Sequence, residues 1–380
     1  MPKLVALDLP GGELFVSSLQ KIWDEGHAAF PVDQRLPLEE RHKLVKRMGA
    51  SKVITTDSEQ ELTGRPVEDG DALVVATSGT GGSPKGVVLT HDAIVASAKM
   101  TSESLLVDPV SDRWLCCIPV SHIGGLSVVT RALLTGTEVE VHSEFSASAC
   151  EEFGRSGSTL VSLVVTAMRR VDVSLFRKVL VGGSSIPMGL PTNVVATYGM
   201  TETASGVVYD GIPLEGVEIK IADGQVFIKS PSLLRCYRNG VLPFTHDGWF
   251  PTGDGGELDK DGKLKVFGRM EQVIVSGGEM IWPATVERAL TGLSWVSEVA
   301  VVGNTDEEWG EVVTAFVVPK DKGTAISLEQ TREELSEVLP RFALPRALHI
   351  VNRLPKTTSG KVAKQSLLSA SEFDNPISRD

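Results

Sequence analysis

Ten consecutive residues concentrate the chemistry of this chain: Thr77, Ser78, Gly79, Thr80, Gly81, Gly82, Ser83, Pro84, Lys85 and Gly86. Glycines let backbone N–H groups come close to an anion, hydroxyls add donors, and Lys85 adds a positive charge. The stretch reads as a loop that grips phosphate. A plain surface turn is the ordinary alternative, because Gly, Ser, Thr and Pro are common turn formers. A Walker loop is ruled out by order: it needs Lys after the second glycine and then Ser or Thr. Here Lys85 precedes Gly86, and Val87 follows.

Other reactive groups come later. Tyr198, Gly199, Met200, Thr201, Glu202 and Thr203 follow an apolar run and bring together an aromatic face, hydroxyls and a carboxylate. Those parts suit purine stacking, phosphate contact and Mg2+ binding. Gly182, Gly183 and Ser184 end an apolar run in a glycine turn. Thr252, Gly253 and Asp254 set a carboxylate behind a turn, in position to accept two ribose hydroxyls, and Arg269 and Lys361 follow glycines nearer the C-terminus. His122 lies just past the apolar run 114–119, where open α/β sheets usually place ligands; a histidine packed in a turn is the alternative. Arg131, nine positions later in an apolar stretch, must either snorkel to water or meet an anion.

These groups need elements to hold them. An apolar run at 72–76 enters the glycine loop, and a helix is expected at 92–99, capped by Thr90 or Asp92. Strand-like runs at 114–119, 138–141, 160–165 and 179–181 alternate with helical segments, one of them through Arg131 to Leu134. That alternation argues for α/β layers. Helices are expected at 12–29 and 38–48, but residues 1–70 suggest no chemistry. Toward the C-terminus the pattern predicts a hairpin at 273–279, helices at 283–293 and 327–338, and strands at 296–302, 312–318 and 346–351. The polar tail from Ser369 is expected to fray.

Composition narrows the partners. The 380 residues allow two or three domains. A hydrophobic content of 42% with 23% charged residues is ordinary for a globular protein. The net charge of −12 makes nucleic acid an improbable partner. An anionic substrate would therefore need locally placed Lys and Arg. Four cysteines have no metal-ligand or disulfide spacing, and the seven histidines form no H-x-x-x-H pair. The adjacent Cys116 and Cys117 fit core packing. With no signal-peptide pattern and no long apolar run, a cytoplasmic, reduced protein without a membrane span is expected.

In this order and spacing the motifs resemble those of the adenylate-forming superfamily, which includes acyl-CoA ligases, luciferases and peptide-synthetase adenylation domains. The resemblance runs from about residue 70 to the end. It implies an α/β fold with a large N-terminal domain, 1–268, of stacked sheets with interleaved helices, and a small, mobile α+β C-terminal domain, 269–380. Members activate a carboxylic acid with ATP, release pyrophosphate and usually pass the acyl group to a thiol. A carboxylic acid with a pKa of about 4 is already ionised at neutral pH, so no general base is needed. The site must instead align the reactants and neutralise charge. By this resemblance Thr77, Ser78, Gly79, Thr80, Gly81 and Lys85 cradle the β- and γ-phosphates, and Gly182, Gly183, Ser184 and Tyr198 bound the adenine. Thr201 meets the α-phosphate, Glu202 holds Mg2+, and Asp254 and Arg269 hold the ribose. Lys361 bridges the α-phosphate and the attacking carboxylate. The hinge position is Glu271, where many members have Asp. The loop 276–279, with Gly277 and Gly278, faces CoA.

The segment 119–131 resembles o-succinylbenzoate–CoA ligases of menaquinone biosynthesis. In that group the residue at His122 lines the acyl pocket, with Gly183 and Gly199, and the arginine at Arg131 helps bind the ring carboxylate. The region before the glycine loop is short, as in actinobacterial ligases of this type. Gly124 departs from members that have Ser there. The implied reaction is activation of o-succinylbenzoate by ATP and transfer to CoA, with ATP, Mg2+ and CoA as cofactors and co-substrates. Another acyl or aryl carboxylate–CoA ligase is the alternative. A non-catalytic protein of this fold has no need of Lys85, Glu202, Asp254 and Lys361 together, and no carrier-protein motif follows residue 361. Many relatives are dimers, so a homodimer is the expectation for assembly.

Overall fold

The computed structural model describes residues 1–77, 84–183, 186, 189–321, 326–356 and 362–369. The chain divides into two compact units, one of 1–220, 227–251 and 258–264 and the other of 221–226, 252–257 and 265–380. The main break falls at Lys265. Two short segments, 221–226 and 252–257, belong with the second unit, which a single cut after residue 268 does not express.

The first unit contains two seven-stranded sheets. One runs in the order Cys236–Tyr237, Lys85–Thr90, Asp71–Thr77, Ala28–Pro31, Leu4–Leu7, Lys52–Ile54, Glu59–Glu61. Its centre is parallel and its flanks antiparallel. Ala72, Leu73, Val74 and Val75 are buried without alternation, as expected of a strand covered on both faces. The other sheet runs Ile212–Pro213, Gly206–Tyr209, Val194–Gly199, Lys178–Gly182, Leu160–Val164, Arg113–Cys116, Glu138–Val141, and is parallel from Val194–Gly199 onward.

Two helices fill the space between these sheets. His91–Ser104 is capped by Thr90 Oγ1, which accepts from the Ala93 N–H at 3.1 Å. Ile123–Thr135 ends at Gly136, whose φ of +70° provides a left-handed cap. The helices pack on each other; the first also lies on Asp71–Thr77 and Lys85–Thr90, the second on Arg113–Cys116, Glu138–Val141 and Leu160–Val164. Every residue from Gly125 to Ala132 is buried as a result. This is the stacked-sheet architecture with interleaved helices that the motifs implied.

One expected element needs correction. The helix expected over 12–29 stops at Asp24, and Ala28–Pro31 is a buried strand pairing with Leu4–Leu7. Gly26, at φ +72°, turns the chain there. Ala28, Ala29 and Phe30 then bury fully in the sheet, a tertiary gain that outweighs their helical spacing.

A four-stranded sheet follows in the order Glu218–Ala222, Gln225–Lys229, Phe250–Leu258, Leu264–Arg269. The elements after residue 269 are α+β. The strands Glu279–Ile281, Ile274–Ser276, Gly310–Pro319 and Val296–Asp306 are joined by Ala347–Ile350, which pairs parallel with Gly310–Pro319. Helices Pro283–Thr291 and Leu328–Leu335 bury Val286, Leu290, Leu328 and Leu335 against this sheet.

Candidate active site

Lys85 opens the strand Lys85–Thr90 and lies opposite Thr77 in the antiparallel register. The glycine-rich segment therefore links two paired strands whose ends face each other. Ser78, Gly79, Thr80 and Gly81 are outside the described residues, as are Ser184 and Lys361. Lys85 Nζ stands 5.4 Å from the centre of the Tyr237 ring. The Tyr237 hydroxyl donates to Glu202 Oε1 at 3.0 Å. Three segments distant in sequence thus bring a cation, a phenol and a carboxylate together. Tyr237 was not foreseen; the signal for it is only its place on the edge strand beside Lys85–Thr90.

Thr201 and Glu202 sit on a 3-10 turn, Thr201–Thr203, at the end of the strand Val194–Gly199. Thr203 Oγ1 accepts from the Met200 N–H at 2.9 Å. Ala204 then takes φ +59°, at a cost of about 1 kcal/mol for a residue with a side chain. That turn sets the two residues at a strand end. Among the described residues no cluster of three or more His, Cys, Asp or Glu forms a metal cage. A single carboxylate such as Glu202 nonetheless fits Mg2+, which is commonly held by one or two carboxylates together with substrate phosphates.

Gly182 ends the strand Lys178–Gly182, and Gly183 follows at φ +82°. A Cβ on Gly182 would lie 2.5 Å from Thr197 Oγ1, and one on Gly199 would lie 2.2 Å from the Ser205 carbonyl oxygen. Packing therefore favours glycine at both positions, against the Thr197 side chain at Gly182 and against backbone at Gly199, whatever ligand they face. Tyr198 lies between Thr197 and Gly199 on the same strand and is half-buried.

In the second unit, Asp254 and Arg269 do meet. Arg269 Nε stands 3.2 Å from Asp254 Oδ1, and its NH1 donates to the Thr252 carbonyl at 3.0 Å. Thr252 Oγ1 accepts from the Asp254 N–H and donates to the Val226 carbonyl. Arg269 thus meets the carboxylate, and Thr252 fixes the backbone that carries it. Glu271 is exposed on the 3-10 turn Met270–Gln272, directly after the strand that carries Arg269. Gly277 and Gly278, at φ +59° and +87°, form the turn between Ile274–Ser276 and Glu279–Ile281.

His122 immediately precedes the helix that carries Arg131. Gly125 cannot be replaced there, because a Cβ would lie 2.3 Å from the Ile118 carbonyl oxygen. Gly124 is different: its nearest neighbour is Ile118 Cδ1 at 3.8 Å, so a side chain fits. Arg131 is 1% exposed, which excludes snorkelling. Its guanidinium lies 4.8 Å over the Trp114 ring, and NH2 donates to Ser205 Oγ at 3.1 Å. Among the described residues, no acceptor reaches Arg131 Nε or NH1, or Trp114 Nε1. Burial pushes the guanidinium's pKa down and the Tyr209 hydroxyl's up, but an arginine remains a cation. A sealed cation with two unused donors is short of an anion, and the two oxygens of a carboxylate match it.

Asp33 and Arg35, in the region that suggested no chemistry, stand against His122. Nothing in the sequence around Asp33 and Arg35 pointed to residue 122. All four cysteines are free and buried, and burial pushes the Cys116 thiol up to about 12; these are packing groups. Two surface hollows of the first unit, about 640 and 390 Å3, are lined by none of the residues above. Among the described residues no helix is long and apolar enough to cross a membrane.

Sheet order, strand-end carboxylate and buried arginine describe an enzyme that handles a nucleotide and an organic acid. The AMP-binding enzyme family model matches residues 63–238, and the AMP-binding enzyme C-terminal domain matches 285–361. The chain is 33% identical to the 2-succinylbenzoate–CoA ligase of Enterococcus faecalis over 341 residues, covering 78% of this chain and 69% of that protein. It is 37% identical over 332 residues to the probable 2-succinylbenzoate–CoA ligase of Mycobacterium tuberculosis, covering 80% and 86%. The fold matches o-succinylbenzoate CoA synthetase (MenE) of Bacillus subtilis in complex with the acyl-adenylate OSB-AMP. That match has a TM-score of 0.85 and 28% identity, over 97% of this chain and 88% of the other. The chain therefore belongs to the AMP-binding enzymes and, among them, to the 2-succinylbenzoate–CoA ligase family.

Proposed function

We propose that this chain activates 2-succinylbenzoate with ATP, forming the acyl-adenylate and pyrophosphate, and then transfers the acyl group to CoA with release of AMP. The observation that carries the substrate is Arg131, a buried guanidinium with two nitrogens whose N–H groups no described residue accepts. A substrate with a second carboxylate supplies the missing anion. A plain fatty or aryl acid does not.

The chain's own residues divide the work. Lys85, with Thr77 and Ser78 to Gly81, holds the β- and γ-phosphates; the cation, phenol and carboxylate set of Lys85, Tyr237 and Glu202 supports that reading. Gly182, Gly183, Ser184 and Tyr198 bound the adenine, Gly183 and Gly199 also border the acyl group, and Thr201 meets the α-phosphate. Asp254, steadied by Arg269, accepts the ribose hydroxyls. Glu202 holds Mg2+, which when bound neutralises phosphate charge. Lys361 draws the substrate carboxylate and the α-phosphate together, and the carboxylate oxygen then displaces pyrophosphate. Residues 269–380 act as the small catalytic domain, turning at Glu271 so that the Gly277–Gly278 turn admits the CoA thiol. A cytoplasmic location, consistent with four free cysteines, and a homodimer complete the proposal; size-exclusion chromatography with light scattering decides the latter.

Pyrophosphate release measured with 2-succinylbenzoate, benzoate and medium-chain acids tests the assignment. A preference for 2-succinylbenzoate of less than about tenfold, or 1.4 kcal/mol, would sink it. Lys361→Ala is expected to slow adenylate formation about 100-fold or more, while thioester formation from a pre-made acyl-adenylate survives.

A further inference from the structure

The N-terminal region places two side chains against His122. Asp33 and Arg35 form a local turn in which the carboxylate takes three hydrogen bonds. Oδ1 accepts from the Arg35 N–H at 3.1 Å and from Nε at 2.9 Å, and Oδ2 accepts from NH2 at 2.7 Å. This bidentate fork fixes the plane of the guanidinium. One hydrogen of NH2 is committed to Oδ2. The other hydrogen of the same NH2 is free to point elsewhere, and the atom against that nitrogen is His122 Nε2.

A guanidinium can only donate. For the contact to be a hydrogen bond, Nε2 must carry the lone pair, and the ring proton of a neutral His122 must sit on Nδ1. The competing arrangement puts the proton on Nε2, aimed at Asp33 Oδ2 3.5 Å away. It would drive an N–H into the Arg35 NH2, which is the nearer neighbour. Burial alone would raise the Asp33 pKa, but its hydrogen bonds from Arg35, with a smaller contribution from His122 beside it, outweigh that, and the carboxyl stays ionised at neutral pH.

We infer that Arg35, braced by Asp33, is a positioning residue that holds His122 in the Nδ1–H tautomer, so that His122 presents a donor to an oxygen of the acyl substrate. The part of this inference that concerns substrate rests on the proposed ligase reading. The tautomer does not. Arg35 lies in the stretch from which the sequence suggested no chemistry, 87 residues before its partner.

Two-dimensional 15N–1H NMR of the full chain, with the His122 signal assigned by its loss in His122→Gln, reads the tautomer directly. The expected result is a protonated Nδ1 and an unprotonated Nε2, with Arg35→Met moving the ring toward Nε2–H. In kinetics Arg35→Met is expected to raise the KM for 2-succinylbenzoate about tenfold, roughly one hydrogen bond, and to leave the KM for ATP within about twofold. Arg35→Lys keeps the charge but loses the fork, so it is expected to recover little. A protonated Nε2 in the unaltered protein overturns the inference, whatever the substrate is. So does an Arg35→Met variant, folded by its unaltered melting temperature, whose tautomer and KM for acid both match the parent. If the unaltered protein ignores 2-succinylbenzoate, the ligase reading fails, and the NMR result still decides the tautomer.

Discussion

Two arginines of the first unit are treated in opposite ways. Arg235 spends its guanidinium on protein: Nε and NH2 donate to the two oxygens of Asp71 at 2.8 and 2.9 Å, and NH1 meets Glu68 at 2.8 Å. Asp71 is 1% exposed at its side chain, and the pair ties the strand Asp71–Thr77 to the chain entering Cys236–Tyr237. Arg131 is more deeply buried, yet it has a serine hydroxyl and an indole face where Arg235 has two carboxylates. A buried ion with good partners holds structure together; a buried ion without them destabilises the free protein until an anion arrives. The region around Arg235 is therefore a joint, and the region around Arg131 is the one we propose as a receptor.

The contrast is open to direct test. Asp71→Ala should have the largest effect on folding, lowering urea-unfolding stability by about 2 kcal/mol because it removes a two-pronged charged hydrogen-bond pair and leaves Arg235 only Glu68 and water, while KM values of the folded enzyme stay put. Arg131→Leu should behave inversely. Its stability is expected to hold or rise, by up to about 2 kcal/mol, since an uncompensated buried charge is removed. Its KM for 2-succinylbenzoate is expected to rise about 30-fold or more, the cost of a charged hydrogen-bonded contact at about 2 kcal/mol. A stability loss with unchanged KM would erase the distinction between joint and receptor. Ser205→Ala, which takes away the side-chain hydroxyl that accepts from Arg131, should cost about 1 kcal/mol in denaturant melts and leave the KM for ATP unaltered. Smallest of all, Gly124→Ser should fold with a change of about 0.5 kcal/mol or less, the range of an unstrained substitution, because the site has room. A KM for acid that falls in this variant would show that the added hydroxyl reaches the substrate.

The legible parts of the molecule were those written in contiguous residues. The Thr77–Gly86 run, the 198–203 motif and the Thr252–Asp254 motif each declare themselves because glycine freedom, hydroxyl density and charge occur within one short run. Thr252–Asp254, read as a turn, lies within the strand Phe250–Leu258, with Gly253 at φ +72°. The hairpin around Gly277 and Gly278 followed for the same reason, since a two-residue glycine turn between apolar runs is a local signal. The N-terminal helix overran because helical spacing continues past Asp24, whereas the pull of Ala28–Pro31 into a sheet comes from strands distant in the chain. Asp33 and Arg35 gave no sign of His122, and Glu202 gave none of Tyr237, for that same reason.

By itself, then, the order of residues determined the reaction class, because the groups proposed for phosphate, ribose and carboxylate travel in short motifs whose backbone requirements are local. Only the tertiary structure decided what the charges are doing. At Arg131 the sequence allowed escape to water and capture of an anion about equally. Burial of every residue from Gly125 to Ala132 between two sheets closes the first route. Whether a charge is solvated, paired or waiting depends on what covers it, and that covering is assembled from strands and helices far apart in the chain.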